Sequence, residues 1–419
     1  MKGSRDARRR ARRSISPRAG AGAGVRRFYL APRRVFLPVA LIGAVLVIAV
    51  VIKIGSGGRS SSPSAVAVGS SHPAAGARAP AALRGASPEH AAGTSSRGLG
   101  RALGETIISR MSGTAPSPAL LARVRAGRLG GVILFSENFA AGSTEAASAI
   151  DQLQRAARAA GTWPLLVMTD QEGGEVRRLA GAPPRLAPRE MASTQTAHSE
   201  GVAAGRALKG IGVNVDLAPV ADVEQLSGSF LGARSFGSSP RLVAEHACAF
   251  ARGLGESGID YTLKHFPGLG TASSSTDLGP VSIGTSARVL RSNYSAYRLC
   301  GHGPRALVMI SSASYPALTR TETPALDSSE IYRAELGRAG VHAVTISDDL
   351  QAGAVAGLEH PASRALGAGL DLLLYAQSER AAEEAYGKLD VELRSGGLST
   401  ERVRQAGEEI DRLKAGLAK

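Results

Sequence analysis

The sequence predicts an α/β protein, a (β/α)8 TIM barrel preceded by a single transmembrane helix and a flexible linker. Three observations predict this fold class. From about residue 130 onward, short apolar β-type runs alternate with amphipathic helical patterns, as in a parallel sheet covered by helices on both faces. Polar residues gather directly after successive runs. An uncharged apolar segment near the N-terminus is separated from this region by a stretch rich in Ser, Gly, Ala and Pro.

The N-terminal segment, residues 1–34, carries most of the positive charge of the chain. It contains twelve Lys or Arg residues and one acidic residue, so residues 35–419 carry only +4 of the formal net charge of +15. A nucleic-acid-binding protein is expected to have a basic patch on its folded part, and the near-neutral remainder argues against that class. We expect residues 1–34 to be a basic cytoplasmic tail.

An apolar segment at 35–54 is expected to anchor the chain in a membrane. Its first eighteen residues, VFLPVALIGAVLVIAVVI, are uncharged, and as a helix they would span roughly 27 Å, about the hydrocarbon thickness of a bilayer. The Arg-rich flank before this segment predicts a single-pass membrane protein with its N-terminus in the cytoplasm. A cleaved signal peptide and a buried core helix are the alternatives.

Residues 55–96 predict a disordered linker, because their Ser, Gly, Ala and Pro content buries too little apolar surface to offset the entropy of ordering. The folded domain is then 97–419, outside the cytoplasm. Its two cysteines, Cys248 and Cys300, make no disulfide framework. One bridge is possible, but a buried free thiol is at least as good an interpretation of Cys248, which lies in an apolar helical pattern. We predict no metal site and no cofactor.

The β-type runs of the domain recur every thirty to fifty residues. Seven such runs fit an eight-stranded barrel with one strand unrecognised. An open, doubly wound sheet is the alternative, although no glycine-rich nucleotide fingerprint follows an early run. The strand candidates are GVILF at 131–135, LLVMT at 165–169, VNVDLAP at 213–219, YTLKHF at 261–266, ALVMI at 306–310, AVTIS at 343–347 and LDLLLYA at 370–376.

Ionisable and polar groups lie within or directly after six of these runs and gather towards their carboxyl ends, where a barrel builds its active site. A single Asp or Ser after a strand is often a helix N-cap, but six in succession are poorly explained in that way. The groups are Ser136, Glu137 and Asn138, then Asp170, Gln171 and Glu172, then Asp216 and Asp222, then Lys264 and His265, then Ser311 and Ser312, and finally Asp348 and Asp349.

Several of these segments together resemble a known enzyme family. KHFPGLG at 264–270 and VTISDDL at 344–350 resemble the bacterial family 3 glycoside hydrolases, in particular the β-N-acetylglucosaminidases that act on cell-wall sugars. The resemblance covers about residues 100–385. The other matching segments, in chain order, are GGVILFSENF at 130–139, VMTDQEGGEVRRL at 167–179, GVNVDLAPVADV at 212–223 and GARSFGSSP at 232–240.

The resemblance implies a role for each matching polar residue. Asp348, directly after Ser347, corresponds to the nucleophile that attacks the anomeric carbon, and Asp349 is then structural. Glu172, beside two glycines, is read as part of a tight turn and not as an acid catalyst, and Asp222 is read as structural. The residues that the resemblance implies for sugar binding are Asp170, Arg178, Arg234, Lys264 and His265.

The sequence departs from the family pattern in the loop after the KHFPG strand. The β-N-acetylglucosaminidase branch uses a loop His as acid/base, supported by an Asp two residues earlier. Here the loop reads TASSSTDLGP at 271–280, with Asp277 at the position of the His and Ser275 at that of the Asp. Leu269 also replaces a His, and no histidine occurs between His265 and His302.

Three interpretations of this loop remain open. Asp277 is the acid/base, since a carboxyl group can do this work when its pKa is raised. Alternatively, a group outside the loop, such as Glu137, takes that role, or the barrel binds glycans without efficient turnover. We expect a retaining glycosidase that releases terminal β-linked N-acetylglucosamine, with peptidoglycan fragments as the carbohydrate substrate. A β-glucosidase is a further alternative, because selectivity for the acetamido group depends on pocket shape.

Overall fold

The computed structural model describes residues 96–417. The predicted basic tail at 1–34, the membrane anchor at 35–54 and all but the last residue of the predicted linker lie outside these residues. Between residues 96 and 417, no helix is long and apolar enough to cross a membrane.

Eight parallel strands form a nearly closed barrel. Each strand pairs with the next along the chain, and β8 pairs with β1. Between β7 and β8 the sheet is completed by a bridge from Ile346 to Leu372. The strands are β1 (Ile107–Arg110), β2 (Gly131–Leu134), β3 (Leu166–Thr169), β4 (Val215–Asp216), β5 (Asp260–Phe266), β6 (His302–Ile310), β7 (His342–Ser347) and β8 (Leu373–Tyr375).

This topology confirms the predicted barrel and excludes the open, doubly wound sheet. All seven strand candidates overlap an observed strand, and the unrecognised strand is β1. Its sequence, IISR, offers only four residues directly after a helix, so it carries too little pattern to be detected on its own. A separate antiparallel hairpin joins Gln171–Gly173 to Val176–Arg177 beyond the end of β3.

Helices surround the barrel and connect its strands. The helical pattern predicted around residue 248 is α5, which begins after the N-cap Ser239 with a proline in its first turn, a favourable start because proline lacks the amide that would be unpaired there. The α-helices are α1 (Ser96–Glu105), α2 (Pro118–Arg125), α3 (Ser143–Ala159), α4 (Thr194–Gly210), α5 (Pro240–Glu256), α6 (Ala287–Ser292), α7 (Ser295–Cys300), α8 (Pro316–Thr319), α9 (Leu336–Arg338), α10 (Pro361–Ala368), α11 (Glu379–Ser395) and α12 (Thr400–Leu417).

Short 3-10 and π-helical turns fill several connections. The 3-10 turns are Ser136–Phe139, Pro188–Glu190, Gly232–Arg234 and Ala325–Asp327, and the π-helical turn is Ile331–Glu335.

The apolar core lies in two places. The larger cluster lies between the barrel and its helices, and a smaller one fills the barrel interior with side chains such as Met168, Leu217 and Met309. Helix α12 contributes Ile410 and Leu413 to the interior cluster. Lys414 on the same helix is fully buried, pairs with Glu105 and donates a hydrogen bond to the Gly130 carbonyl at 2.7 Å. The C-terminal helix therefore closes the end of the barrel opposite to the active site.

The two cysteines form a disulfide between α5 and the end of α7, Cys248 to Cys300. The interpretation of Cys248 as a buried free thiol is therefore wrong. The apolar pattern around Cys248 correctly predicted a buried helix face. It carried no information on the partner, because the contact is made 52 residues further along the chain.

Candidate active site

A cavity of about 360 Å³ opens at the carboxyl ends of the barrel strands. It brings together all seven residues that the sequence analysis selected as catalytic or sugar-binding, although these residues are spread over 179 positions of the chain. They are Asp170, Arg178, Arg234, Lys264, His265, Asp277 and Asp348.

Asp170, at the end of β3, holds two cations at the cavity wall. Its Oδ1 accepts a hydrogen bond from Lys264 Nζ at 2.9 Å, and its Oδ2 faces the Arg178 guanidinium at 3.3 Å. Burial disfavours the charged form of Asp170, but the attraction of Lys264 and Arg178 outweighs it, so its pKa lies below the ordinary value. Asp170 is therefore an anion that fixes the position of Lys264.

Glu172 is buried beneath the same wall and forms a second ion pair with Lys264. Its two carboxylate oxygens accept bidentate hydrogen bonds from Arg234, both at 2.8 Å, and Lys264 Nζ lies 2.7 Å from Oε1. Burial alone would raise the pKa of Glu172, but these two cations lower it below the ordinary value. Glu172 therefore cannot serve as a proton donor. This agrees with the sequence analysis, which did not assign it as an acid catalyst.

The sequence interpretation of Glu172 as part of a turn at the rim was nevertheless incomplete. Its side chain has no exposed surface, and it orients both Arg234 and Lys264. Burial disfavours the cation of Lys264, but Asp170 and Glu172 together raise its pKa. Below them, burial raises the pKa of Asp216 to about 8, so this carboxyl is largely neutral at pH 7. The wall is a buried network of alternating charges.

His265 completes this wall beside Lys264 at the end of β5. Its Nδ1 lies 2.7 Å from Asp222 Oδ2, and the same carboxylate accepts the backbone amide of Leu269 at 2.6 Å. Because Asp222 engages Nδ1, the second ring nitrogen, Nε2, is the one available to a ligand in the cavity. Asp222 thus orients His265 and the turn that follows it.

Asp348 follows β7 and lines the same cavity. Its Oδ1 accepts the amide of Asp349 at 2.9 Å, and its Oδ2 lies 3.4 Å from the Thr276 hydroxyl. Burial raises the pKa of Asp348, His265 opposes this shift, and the charge of Asp277 adds to it. The pKa of Asp348 therefore depends on charged groups of both the wall and the loop.

Asp349, the second carboxylate of the pair, is tied to the barrel. Its Oδ1 accepts the amides of Gln351 at 3.1 Å and Ala376 at 3.0 Å, and its Oδ2 accepts the Gln377 side-chain amide at 2.8 Å. A carboxylate whose two oxygens are engaged in this way joins the loops after β7 and β8. This arrangement agrees with a structural role for Asp349.

The variant loop at 271–280 brings Asp277 to the mouth of the cavity. Asp277 is exposed, and its Oδ2 accepts a hydrogen bond from the Ser275 hydroxyl at 3.0 Å. Ser275, which replaces the supporting Asp of the family, thus contacts the residue that replaces the His. The neighbouring Thr276 is buried and faces Asp348.

Glu137, the alternative acid, is not part of the cavity wall. Its carboxylate lies 2.7 Å from Arg110 Nη2. This hydrogen bond, the largest influence on the group, lowers its pKa. A carboxylate that is paired with Arg110 and does not line the cavity is poorly placed to donate a proton there. The structure therefore disfavours Glu137 as the acid/base.

Sequence reasoning missed two groups at the cavity wall, Arg110 and Phe135. The guanidinium groups of Arg110 and Arg178 lie 5.0 and 5.1 Å from the centre of the Phe135 ring. Arg110 ends the unrecognised strand β1, so it could not be placed from the sequence. Phe135 was visible at the end of a strand candidate, but the sequence does not show which cations its ring faces. Among residues 96–417, no cluster of His, Cys, Asp and Glu could hold a metal ion.

Comparisons with known proteins agree with this geometry. The family described as glycosyl hydrolase family 3 N terminal domain matches residues 107–413. An uncharacterized secreted glycosyl hydrolase of Arthroderma benhamiae is 32% identical over 331 residues, which is 75% of this chain and 93% of that relative. A beta-hexosaminidase of Xanthomonas euvesicatoria is 33% identical over 270 residues, 60% of this chain and 78% of that relative.

Solved structures show the same barrel. A beta-N-acetylhexosaminidase from Beutenbergia cavernae superposes with a TM-score of 0.69 at 28% identity, covering 76% of this chain and 98% of that chain. A glycoside hydrolase family 3 beta-N-acetylglucosaminidase from a Paenibacillus species gives a TM-score of 0.71 at 27% identity, covering 76% and 62%. The chain therefore belongs to glycosyl hydrolase family 3, as a glycoside hydrolase similar to the β-hexosaminidases of that family.

Proposed function

We propose that this protein is a retaining glycosidase that releases terminal β-linked N-acetylglucosamine, with Asp348 as nucleophile and Asp277 as acid/base. One observation carries the proposal. Two carboxylates that form no ion pair among residues 96–417, Asp348 and Asp277, face the same cavity as the charged wall formed by Asp170 and Lys264. Retention of configuration requires a carboxylate that attacks carbon and a second group that transfers protons, and Asp277 is a carboxyl group that can take the second role.

In the first step, an oxygen of Asp348 forms a bond to the anomeric carbon while the bond to the leaving oxygen breaks. Protonated Asp277 gives its proton to that oxygen, and the released alcohol departs. The product is a glycosyl ester of Asp348, and Asp277 is left as a carboxylate. A buried nucleophile is well suited to this step because it is desolvated before it attacks.

In the second step, Asp277 removes a proton from water as the water oxygen attacks the anomeric carbon. The ester bond to Asp348 breaks, the free sugar leaves with the original configuration, and Asp277 is protonated again. Because Asp277 lies on an exposed loop, water reaches it directly.

The charged wall supplies the contacts to the sugar. Asp170 offers acceptor oxygens, Lys264 offers a compact cation, and His265 Nε2 offers one directional contact. Arg178 and Arg234 flank these groups and are already oriented by carboxylates. Groups held before the ligand arrives lose little conformational freedom on binding, which favours affinity.

The choice of N-acetylglucosamine is supported by the relatives, among them a beta-hexosaminidase and a solved beta-N-acetylglucosaminidase. We propose peptidoglycan fragments as the natural substrate from which this sugar is released. The corresponding location is a barrel held outside the cytoplasm by the segment at 35–54. The disulfide supports this location because such bonds persist in oxidising compartments. Cleavage of the barrel by protease added to intact cells tests it, and a barrel protected until lysis would refute it.

The test of the proposed reaction compares two substrates with two variants of the full chain. An activated aryl β-N-acetylglucosaminide leaves with little help from an acid, whereas a natural disaccharide needs it. We expect Asp348→Ala to lose activity on both substrates. Asp277→Ala should lose kcat/KM mainly on the disaccharide, by about 10²–10⁴-fold, the usual contribution of a general acid. If the wild-type protein turns over neither substrate while still binding the sugar, the hydrolase assignment fails.

A further inference from the structure

The loop that carries Asp277 is fastened to the segment that follows the nucleophile. The amide of Gly353 donates to the Asp277 carbonyl at 3.0 Å, and the amide of Ala354 donates to the Thr276 carbonyl at 2.9 Å. The hydrogen bond between Asp277 and Ser275 lies within the loop, so it does not tie the loop to the barrel. These two amides therefore help to set the position of Asp277 over the cavity.

Gly353 is required by the closeness of this contact. A Cβ atom at position 353 would lie 2.7 Å from the Leu278 carbonyl carbon, 2.8 Å from the Gly279 nitrogen and 2.9 Å from the Asp277 carbonyl oxygen. All three are backbone atoms, which cannot rotate away as the end of a flexible side chain would. Any side chain at Gly353 therefore displaces the loop or the segment that carries it.

The backbone of Gly353 itself does not demand glycine. Its φ angle does not fall in the left-handed region, unlike that of Gly369 at +136°. An alanine can adopt the same conformation at this position without backbone strain. The glycine is thus explained by the approach of the loop and not by the local turn.

We propose that Gly353 is a positioning residue for catalysis, which holds Asp277 in reach of the leaving oxygen through backbone contacts to the loop 271–280. The inference rests on the proposed roles of Asp348 and Asp277. It adds that the nucleophile segment itself sets the distance between the two catalytic groups, because Asp348 and Gly353 belong to the same connection after β7. Thr276, whose hydroxyl lies 3.4 Å from Asp348 Oδ2, adds a side-chain contact between the same two segments.

The experiment compares Gly353→Ala with Gly357→Ala in the full chain. Gly357 lies in the same connection, has no atom within 4 Å of its added Cβ and no positive φ, so it controls for the loss of a glycine. We expect Gly353→Ala to reproduce Asp277→Ala: a loss of kcat/KM on the order of 10²-fold on the natural disaccharide, with little loss of kcat/KM on the activated aryl substrate. The Gly357→Ala variant should match wild type on both.

Azide gives a readout that a purely structural defect would not change. Azide can displace Asp348 from the anomeric carbon without help from a base, so it should accelerate turnover of the activated substrate and yield the β-glycosyl azide in Gly353→Ala and Asp277→Ala alike. The double variant should be no slower than Asp277→Ala alone, because both changes remove the same function.

Distinct outcomes separate the two claims. An inactive wild type would refute the proposed function. An active wild type with the expected Asp277→Ala split, but with Gly353→Ala unchanged on the disaccharide, would refute the positioning role alone. Equal losses on both substrates in Gly353→Ala would place the defect at Asp348 and also refute it. Amide exchange tests the contact without catalysis: the amides of residues 353 and 354 should be protected in wild type, and fast exchange of both would overturn the proposal.

Discussion

The charged wall of the cavity and the loop at 271–280 hold their charged side chains in position in different ways. In the wall, Lys264 and Glu172 have side chains that are 3% and 0% exposed, and each charge faces an opposite one at hydrogen-bond distance. In the loop, Asp277 is exposed, and two backbone amides from the connection after β7 hold it in place. The side chains proposed to bind the sugar are fixed by the strand ends of the wall. The proposed acid/base, Asp277, is held by a few local contacts of the loop.

This difference has an energetic consequence. A buried charge whose partner is removed keeps its desolvation cost, so the wall tolerates little change. An exposed carboxylate in a loop carries no such cost, so changes there should affect catalysis and leave the free energy of unfolding almost unchanged. Three predictions test the comparison, beginning with the largest expected effect.

Replacing Lys264 with Met should destabilise the whole barrel. Asp170 and Glu172 would lose a shared cation inside the wall, and breaking a buried pair costs about 3–5 kcal/mol. We expect a lower free energy of unfolding in urea and loss of activity on both substrates. Lys388→Met, at an exposed position of α11, is the matched control. Equal stability of the two variants would mean that the wall is not a tightly coupled network.

Replacing Ser275 with Ala should change only the loop. The variant removes the hydrogen bond to Asp277 Oδ2 and should slow hydrolysis of the natural disaccharide by about two- to tenfold, the effect of one hydrogen bond. Turnover of the activated substrate and the unfolding midpoint should stay at wild-type values. Ser274→Ala, an exposed neighbour in the same loop, serves as control, and an equal slowing in that variant would show that Ser275 does not orient Asp277.

The pH dependence of kcat/KM should report the pKa of Asp348, which lies between the wall and the loop. The nucleophile acts as an anion, so activity falls as the pH decreases through the pKa of Asp348. Burial raises that pKa, His265 lowers it, and the charge of Asp277 raises it. With the activated substrate, His265→Gln should therefore move the acidic limb to higher pH. An unchanged acidic limb, or one moved to lower pH, would contradict this electrostatic arrangement.

The same contrast explains how far the sequence could predict the molecule. Residues at strand ends, such as Asp170, Lys264 and Asp348, could be selected because a parallel barrel brings the carboxyl ends of its strands together. Strand β1 could not, since four residues carry too little periodicity, and Arg110 at its end was lost with it.

Contacts between distant segments left no signal in the sequence. The pairing of Cys248 with Cys300, the burial of Glu172 under Arg234 and the contact of Gly353 with the loop each depend on which segments the fold brings together. The glycine at position 353 looked like any other glycine in a connection. Only the position of the loop gives it a physical reason.

The most direct test of the central claim is to locate the covalent intermediate. Asp277→Ala should be mixed with an activated 5-fluoro β-N-acetylglucosaminide, which forms the glycosyl-enzyme faster than the enzyme can release it, and the protein should be digested for mass spectrometry. We expect one added fluorosugar on the peptide that contains Asp348. The absence of an adduct while aryl alcohol is released, or an adduct on a different carboxylate, would contradict Asp348 as the nucleophile.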